Sequence, residues 1–172
     1  MIVRRATPAD AATLAALALE TFVETFGADN RAEDMDAYTA ECFGEPQQLR
    51  ELSDPDIVTL LGEIDGAAVA YAQLHPTPGS PHGSVELARF YVRQAHHGRG
   101  LAQTLMDAVL AAAHPLGAPL WLGVWERNAR AIAFYRKCGF VQRGTHPFRL
   151  GSDLQTDWVM VREERRRSGD WG

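Results

Sequence analysis

Residues 92–106 read VRQAHHGRGLAQTLM, in which the end of an apolar strand passes through a glycine-containing turn into an amphipathic helix. Gly98, Gly100 and Ala102 are small enough to let a ligand approach the backbone closely. The free N–H groups at the helix start form an anion site, to which Arg99 adds charge. The stretch lacks the Gly-Lys-Ser/Thr of a P-loop and the dinucleotide GxGxxG pattern. It indicates a pyrophosphate site, with a glycine-rich turn that holds no ligand as the alternative.

A second segment, residues 121–140, reads WLGVWERNARAIAFYRKCGF. A strand gives way to Asn128, and the helix that follows carries Tyr135 two turns later. Seven residues along a helix return to nearly the same face, so the amide and the phenol could line one cleft. Two other interpretations stay open, because Asn128 is a good helix N-cap and Tyr135 could be a core residue.

The remaining pattern predicts the order β-α-α-β-β-β-α-β-α-β-β, a mixed α/β sheet with helices on its faces. Asp65-Gly66 is a strong two-residue hairpin turn between strands at 57–64 and 67–74. We expect helices at 98–113 and 128–138, and a final strand pair at Phe140–Gly144 and Asp157–Arg162. Residues 1–164 are predicted to form one domain and residues 165–172 a frayed tail.

Composition places the chain among ordinary globular proteins. Its 172 residues are 46% hydrophobic and 23% charged, enough to bury a core without disulfides or structural metals. Acidic side chains outnumber basic ones by 22 to 17, which argues against a nucleic-acid-binding partner, because such proteins carry basic surfaces.

The sequence also predicts a cytoplasmic protein that binds no metal ion and does not associate with a membrane. The two cysteines are Cys42 and Cys138, far apart and outside any framework, which suits a reduced compartment. No apolar run reaches the roughly 18 residues of a membrane span. His96 and His97 are adjacent and lack a carboxylate cluster, so no metal is expected there.

Together the two segments resemble the GNAT superfamily of acyl-CoA-dependent N-acetyltransferases. The family's pyrophosphate motif, Gln/Arg-x-x-Gly-x-Gly/Ala, corresponds to residues 97–102, with His97 in place of Gln or Arg. The family's second motif matches Asn128, Ala131-Ile132, Tyr135 and Gly139-Phe140. Four further segments are similar to the PaiA-type branch, whose members acetylate spermidine and spermine: residues 20–26, 85–92, 121–128 and 144–160.

The resemblance implies a mostly antiparallel sheet that splays at one strand, with acetyl-CoA as co-substrate in the gap. Asn128 would bind the pantetheine arm, and Tyr135 would protonate the departing thiolate. The expected cofactor-binding residues on the strand and the loop are Phe90, Tyr91, Val92, Gly98, Arg99, Gly100, Leu101, Ala102 and Gln103.

Glu86 is the candidate general base, because histone-acetylating members carry a glutamate at the same distance from the strand end. Other members place the base on the next strand, where this chain has Gly123. An exposed strand carboxylate is the alternative. A primary amine has a pKa near 10.4 and an unperturbed glutamate one near 4.3. Therefore burial must raise the pKa of Glu86, or Glu86 must act through water or only bind the cation.

The expected acceptor is a small amine, and the PaiA-type resemblance indicates a polyamine. The net charge of −5 and the acids crowded along the first two helices agree with a polycation. A protein N-terminus, a lysine or another small amine is the alternative within the family. A CoA-binding regulatory module without turnover is less favoured, because both Tyr135 and Glu86 are present. Pairing into a homodimer is possible, since GNAT domains often pair.

Overall fold

The computed structural model describes residues 1–117 and 119–163. The predicted frayed tail, residues 165–172, lies outside the described residues. The strands are β1 (Ile2–Arg5), β2 (Val58–Ile64), β3 (Ala67–Pro76), β4 (Val85–Val92), β5 (Leu120–Trp125), β6 (Val141–Leu150) and β7 (Asp153–Arg162). The helices are α1 (Ala11–Phe26), α2 (Ala32–Cys42), α3 (Glu45–Ser53), α4 (Leu101–Ala113) and α5 (Ala129–Lys137).

The seven strands form one mixed sheet in the order β1-β2-β3-β4-β5-β7-β6. Every neighbouring pair is antiparallel except β4 and β5, which run parallel. At the β2–β3 hairpin, Asp65 and Gly66 take φ values of 51° and 79°, as a type I′ turn requires. The predicted fold class is therefore confirmed.

Each face of the sheet carries its own hydrophobic core. On one face, α4 and α5 pack Leu105, Met106, Val109 and Ile132 against the strands. On the opposite face lie α1 and α2, with Leu14, Leu17, Phe22 and Met35 buried over Leu61 and Tyr71. Burying side chains of this size contributes about 1.5–3 kcal/mol each. Because helices cover both faces of the sheet, we expect a ligand site at an edge of the sheet or where neighbouring strands separate.

The sheet opens between β4 and β5. Their pairing is limited to Val85 with Leu120 and Glu86 with Trp121, although β4 continues to Val92 and β5 to Trp125. Beyond the last pair, β4 contains a bulge against β3, where Gln73 pairs with Arg89 and Leu74 with Leu87. The bulge at Ala88 bends β4 away from β5. The strands thus diverge toward their carboxyl ends, as the resemblance implied.

Several predicted boundaries were wrong. The helix expected from Gly98 begins at Leu101, because Gly98 and Gly100 have φ values of 78° and 75° that no α-helix accommodates. The strand expected at 67–74 is longer, since β3 extends to Pro76. The final hairpin is much longer than predicted, with Gly151 at its turn (φ 58°).

The segment Pro8–Asp29 is long and apolar enough to span a membrane by length and composition alone. Within it, Leu14, Leu17 and Ala18 are completely buried in the core beneath the sheet. This packing is that of a core helix. Among residues 1–117 and 119–163, no group of three or more His, Cys, Asp or Glu side chains is placed to bind a metal ion.

Candidate active site

The loop between β4 and α4 has the backbone of an anion site. Gly98 and Gly100 both adopt left-handed conformations, and no protein atom lies within 4 Å of the position that a Cβ would take at either residue. Gly100 is the N-cap of α4 and supplies no capping side chain. The first amides of α4 therefore face an open space where the helix dipole favours an anion.

His97 and two glutamates of α1 hold this loop in place. His97 Nε2 lies 2.7 Å from the carbonyl oxygen of Val92, which ties the loop to the end of β4. Glu20 forms an ion pair with Arg93 at 3.0 Å, and Glu24 accepts a hydrogen bond from the Gln94 amide at 2.9 Å. His97 thus holds the loop through its side chain, although the residue departs from the family's Gln or Arg.

At the start of α5, Asn128 caps the helix. Its Oδ1 accepts a hydrogen bond from the Ala131 amide at 3.2 Å. The capping role that the sequence left open is therefore confirmed. Among residues 1–117 and 119–163, only Oδ1 of the amide has a hydrogen-bond partner, so the Nδ2 group stays available to a ligand.

Tyr135 lies in an aromatic cluster beside the gap. Its ring is 6.1 Å from Phe90, 5.8 Å from Phe134 and 5.8 Å from Phe140, measured between centroids. The side chain is 8% exposed, and burial raises the pKa of the phenol well above its ordinary value. Within the described part of the chain, the hydroxyl has no hydrogen-bond partner. The structure therefore supplies a protonated phenol next to β4.

The three predicted residues at the end of β4 alternate between the faces of the sheet. Phe90 and Val92 pack on the side of α4 and α5, and Phe90 stacks on Phe134 at 5.6 Å. Tyr91 points to the other side and stacks on Tyr71 at 5.7 Å, and burial raises the pKa of Tyr91 to about 12. Their backbone, not their side chains, borders the gap.

Glu86 lies at the point where the gap begins, since it forms the last pair with β5. The carboxylate is partly buried, and that burial raises its pKa, while His146 acts in the opposite direction. It lies on the sheet face opposite Tyr135, because its neighbours Val85 and Leu87 belong to the core of α4 and α5. A phenol and a carboxylate thus approach the gap from its two sides.

Residues 17–140 match the sequence profile of the Acetyltransferase (GNAT) family. An uncharacterized N-acetyltransferase of Mycobacterium tuberculosis strain H37Rv is 39% identical over 155 residues, which cover 90% of this chain and 97% of the relative. This chain belongs to the GNAT acetyltransferase family. It is an enzyme, an N-acetyltransferase. A second relative, an uncharacterized N-acetyltransferase from the pepI 3′ region of Lactobacillus delbrueckii subsp. lactis, is 32% identical over 84% of this chain and 87% of its own length.

Solved structures share the fold of this GNAT enzyme. A PaiA N-acetyltransferase from Thermoplasma acidophilum in complex with coenzyme A superposes with a TM-score of 0.78 at 22% identity, covering 94% of this chain and 98% of its own. A ribosomal-protein-alanine N-acetyltransferase from Brucella melitensis superposes at 0.70 with 26% identity, covering 95% and 99%.

The sequence did not identify two polar residues that meet over Gly123, one of which, His146, interacts with Glu86. His146 of β6 pairs with Asp157 of β7, and both side chains approach Gly123 of β5. The eleven-residue separation of the two carries no motif, and their meeting depends on the register of a hairpin whose length was underestimated. Asp157 shares a face of β7 with the buried Val159 and Val161, but the consecutive apolar residues 158–161 conceal this alternation in the sequence.

Proposed function

We propose that this GNAT enzyme transfers the acetyl group of acetyl-CoA to a primary amine by direct attack. The observation that carries the proposal is the gap between β4 and β5, which opens toward the glycine loop at one end and has Glu86 at its apex. A backbone left unpaired on both sides of a gap can accept an extended ligand as an added strand.

The residues fit acetyl-CoA along the whole gap. The loop that comprises Gly98, Arg99, Gly100, Leu101, Ala102 and Gln103 would hold the pyrophosphate, because its glycines are open and the end of α4 is free of a side-chain cap. Phe90, Tyr91 and Val92 would pair through their backbone with the pantetheine arm, to which the Nδ2 of Asn128 would donate. The co-substrate supplies an activated acetyl thioester.

Two side chains of this protein would carry out the two proton transfers. Glu86 would accept the proton of the ammonium, directly or through water. Its raised pKa reduces the difference between the pKa values of the carboxyl and the ammonium. Tyr135 would protonate the leaving sulfur, since burial among aromatic rings keeps its phenol protonated at neutral pH.

For the acceptor we propose a linear polyamine such as spermidine or spermine. The similarity of residues 20–26 and 144–160 to the PaiA-type branch supports it, as does the likeness in fold to the Thermoplasma acidophilum protein. The likeness to the Brucella melitensis enzyme favours the second candidate, the amino terminus of a protein. We also retain the proposals of a cytoplasmic location and of pairing into a homodimer.

An acceptor screen tests the proposal. Purified protein is mixed with acetyl-CoA and one amine at a time, and free thiol release is followed. The amines are spermidine, spermine, butylamine, a lysine peptide and a peptide with a free amino-terminal alanine. Spermidine and spermine are expected to give the highest kcat/KM, whereas a preference for the alanine peptide would replace the polyamine with a protein amino terminus.

A further inference from the structure

The imidazole of His146 extends from β6 across β7 to the middle of β5. Its Nε2 lies 2.8 Å from the position that a Cβ would take on Gly123. Oδ2 of Asp157, the cross-strand neighbour of His146 on β7, lies 3.3 Å from the same position. The two side chains therefore fill the place of the missing side chain, and the imidazole extends this far because residue 123 is a glycine.

The hydrogen bonding of this imidazole determines which of its nitrogens carries a proton. Nδ1 lies 3.0 Å from the carbonyl oxygen of Pro147. A carbonyl oxygen only accepts hydrogen bonds, so Nδ1 is the protonated nitrogen, and the lone pair of the neutral ring is on Nε2. Nε2 itself makes no hydrogen bond with any residue that the structure describes. His146 thus presents a proton acceptor toward β5.

The position of His146 allows a proton on Nε2 to return to solvent. The side chain is half-buried at the edge strand of the sheet. In the described part of the chain, the polar atoms that are both sealed from solvent and unpartnered include Oδ1 of Asp157 but not Nε2 of His146. The imidazole can therefore bind a proton in one turnover and lose it to water before the next.

Glu86 lies on the same face of the sheet as this imidazole. It pairs with Trp121, and Gly123 follows two residues later, so Gly123 is the diagonal neighbour of Glu86 across the gap. Diagonal neighbours on one face of a sheet lie roughly 7–8 Å apart, a distance that a long side chain and one water molecule span. Burial raises the pKa of Glu86 and the charge of protonated His146 lowers it, which agrees with this proximity.

Two carboxylates act on the imidazole from neighbouring strands. Glu86 interacts with His146 from β4, and Asp157 interacts with it from β7. Burial raises the pKa of Asp157 to about 6, protonated His146 lowers it, and Glu126 after β5 raises it further. Asp157 in turn interacts with Tyr91 of β4. A positive charge formed at Nε2 is attracted by both carboxylates.

We propose that His146 receives at Nε2 the proton that Glu86 removes from the acceptor ammonium. This inference rests on the proposed amine acetylation and extends it by a second proton acceptor on β6. In the first transfer the ammonium becomes the neutral amine and Glu86 becomes a carboxylic acid. In the second, directly or through one water molecule, Glu86 returns to the carboxylate and His146 becomes an imidazolium, which then loses the proton to bulk water.

The order of acidities explains why a second acceptor accelerates the reaction. A free imidazolium has a pKa near 6.5, between about 4.3 for an ordinary glutamic acid and about 10.4 for a primary ammonium. Delivery of the proton to an imidazole is therefore uphill by about 4 pKa units, compared with about 6 for an ordinary carboxylate. Because each unit is a factor of ten, the fraction of bound amine that is neutral rises by up to about 100-fold.

His146→Ala with added imidazole is the decisive experiment. With the best amine from the acceptor screen, kcat should fall about 10- to 100-fold, whereas the dissociation constant of acetyl-CoA should not change, because the glycine loop is intact. Added imidazole should restore kcat in a saturable manner, since it can occupy the place over Gly123 that the missing ring leaves. His82→Ala removes an imidazole from the β3–β4 loop and should show neither the loss nor the rescue.

NMR of the wild-type protein gives a readout that depends neither on activity nor on the folding of a variant in an assay. The chain has six histidines, and the signals that are missing from His146→Gln identify those of His146. At a pH where the ring is neutral, the nitrogen chemical shifts should show a protonated Nδ1 and a bare Nε2. A proton on Nε2 would leave no lone pair toward β5 and would overturn the inference.

The activity measurements separate this inference from the proposed function. A loss of kcat in His146→Ala that imidazole does not restore would assign His146 a structural role and overturn the inference. A wild-type kcat in His146→Gln, which cannot accept a proton, would do the same. Both results require a wild type that acetylates the amine, whereas a wild type that acetylates no amine would refute the proposed function and this inference together.

Discussion

At the scale of single residues, Tyr135 has the clearest chemical assignment. Its hydroxyl lacks a partner among the residues that the structure describes, whereas its ring is held by Phe90, Phe134 and Phe140. Tyr135→Phe removes the hydroxyl and keeps the packing. We expect kcat to fall about 10²- to 10⁴-fold, the usual effect of losing a general acid, with little change in the dissociation constant of acetyl-CoA.

Calorimetric titration with acetyl-CoA and a thermal melt are the controls for this variant. Both should match wild type, because the aromatic cluster remains complete. If kcat drops by less than a few-fold, the phenol serves only to pack against β4, which is the core alternative that the sequence left open.

Glu86 is tested through the pH dependence of the reaction. The amine attacks in its neutral form, so kcat/KM should climb between pH 7 and pH 9 as the acceptor, with a pKa near 10.4, loses its proton. Burial raises the pKa of Glu86 above its ordinary value, so the carboxylate accepts a proton more readily than an exposed one. Glu86→Gln should lower kcat/KM and alter its pH profile.

The matched control is Glu45→Gln, which removes a carboxylate from the exposed start of α3. Its profile should overlay that of wild type. An identical profile and rate for Glu86→Gln would mean that bulk water removes the proton, and Glu86 would then be only a strand carboxylate.

At the scale of elements, the role of the loop before α4 can be tested by introducing a bulky side chain. Gly100 has a φ of 75° with open space around the missing Cβ, so Gly100→Leu places a side chain where the pyrophosphate would lie. The left-handed conformation itself costs a non-glycine residue about 1–2 kcal/mol. We expect acetyl-CoA binding to be lost in calorimetry while circular dichroism shows a folded protein.

Gly79→Leu is the control that separates the effect of backbone strain from the effect of blocking the pyrophosphate site. Gly79 has a φ of 78° and equally open surroundings, but it lies in the β3–β4 loop. Both variants carry the same backbone cost, so both should melt at similarly reduced temperatures. Retention of acetyl-CoA affinity in Gly100→Leu would place the pyrophosphate elsewhere.

The elements that the sequence predicted well are those encoded locally. Asp65-Gly66 forms its turn through the conformations of two residues, and Asn128 caps α5 through a bond to the third residue after it. The packing of His146 and Asp157 over Gly123 depends instead on the register of two long strands. Register is a property of the whole sheet, and the exposed β6 with Pro147 in its middle carries little alternation from which to infer it.

At the scale of the whole molecule, the acids of the first two helices differ in function. Glu20 and Glu24 hold the segment before the glycine loop, as described above. Asp34 is buried and accepts two hydrogen bonds of 2.7 Å from the amide and hydroxyl of Ser152, at the turn of the β6–β7 hairpin. These three acids join the loop before α4 and the turn of the β6–β7 hairpin to α1 and α2. They are therefore less available to attract a ligand than the sequence suggested.

Other acids of this region remain exposed, among them Asp29, which lies between α1 and α2, and Asp36 and Glu41 of α2. Exposed charge pairs contribute only about 0.2–1 kcal/mol each, so any preference for polycations must come from several acting together with Glu86. Such a preference depends on ionic strength, because the Debye length falls from about 10 Å at 0.1 M salt to about 3 Å at 1 M.

We therefore expect kcat/KM for spermidine to exceed that for butylamine at low salt, and the ratio to shrink at 1 M salt. The double variant Asp36→Asn/Glu41→Gln should reduce the ratio at low salt, because it weakens the attraction of the distant ammonium groups without touching the gap. Butylamine, with a single charge at the reacting nitrogen, is the internal control and should change little in this variant. If spermidine and butylamine are acetylated equally well and salt makes no difference, the acids serve solubility, and the acceptor must be sought among monoamines and peptides.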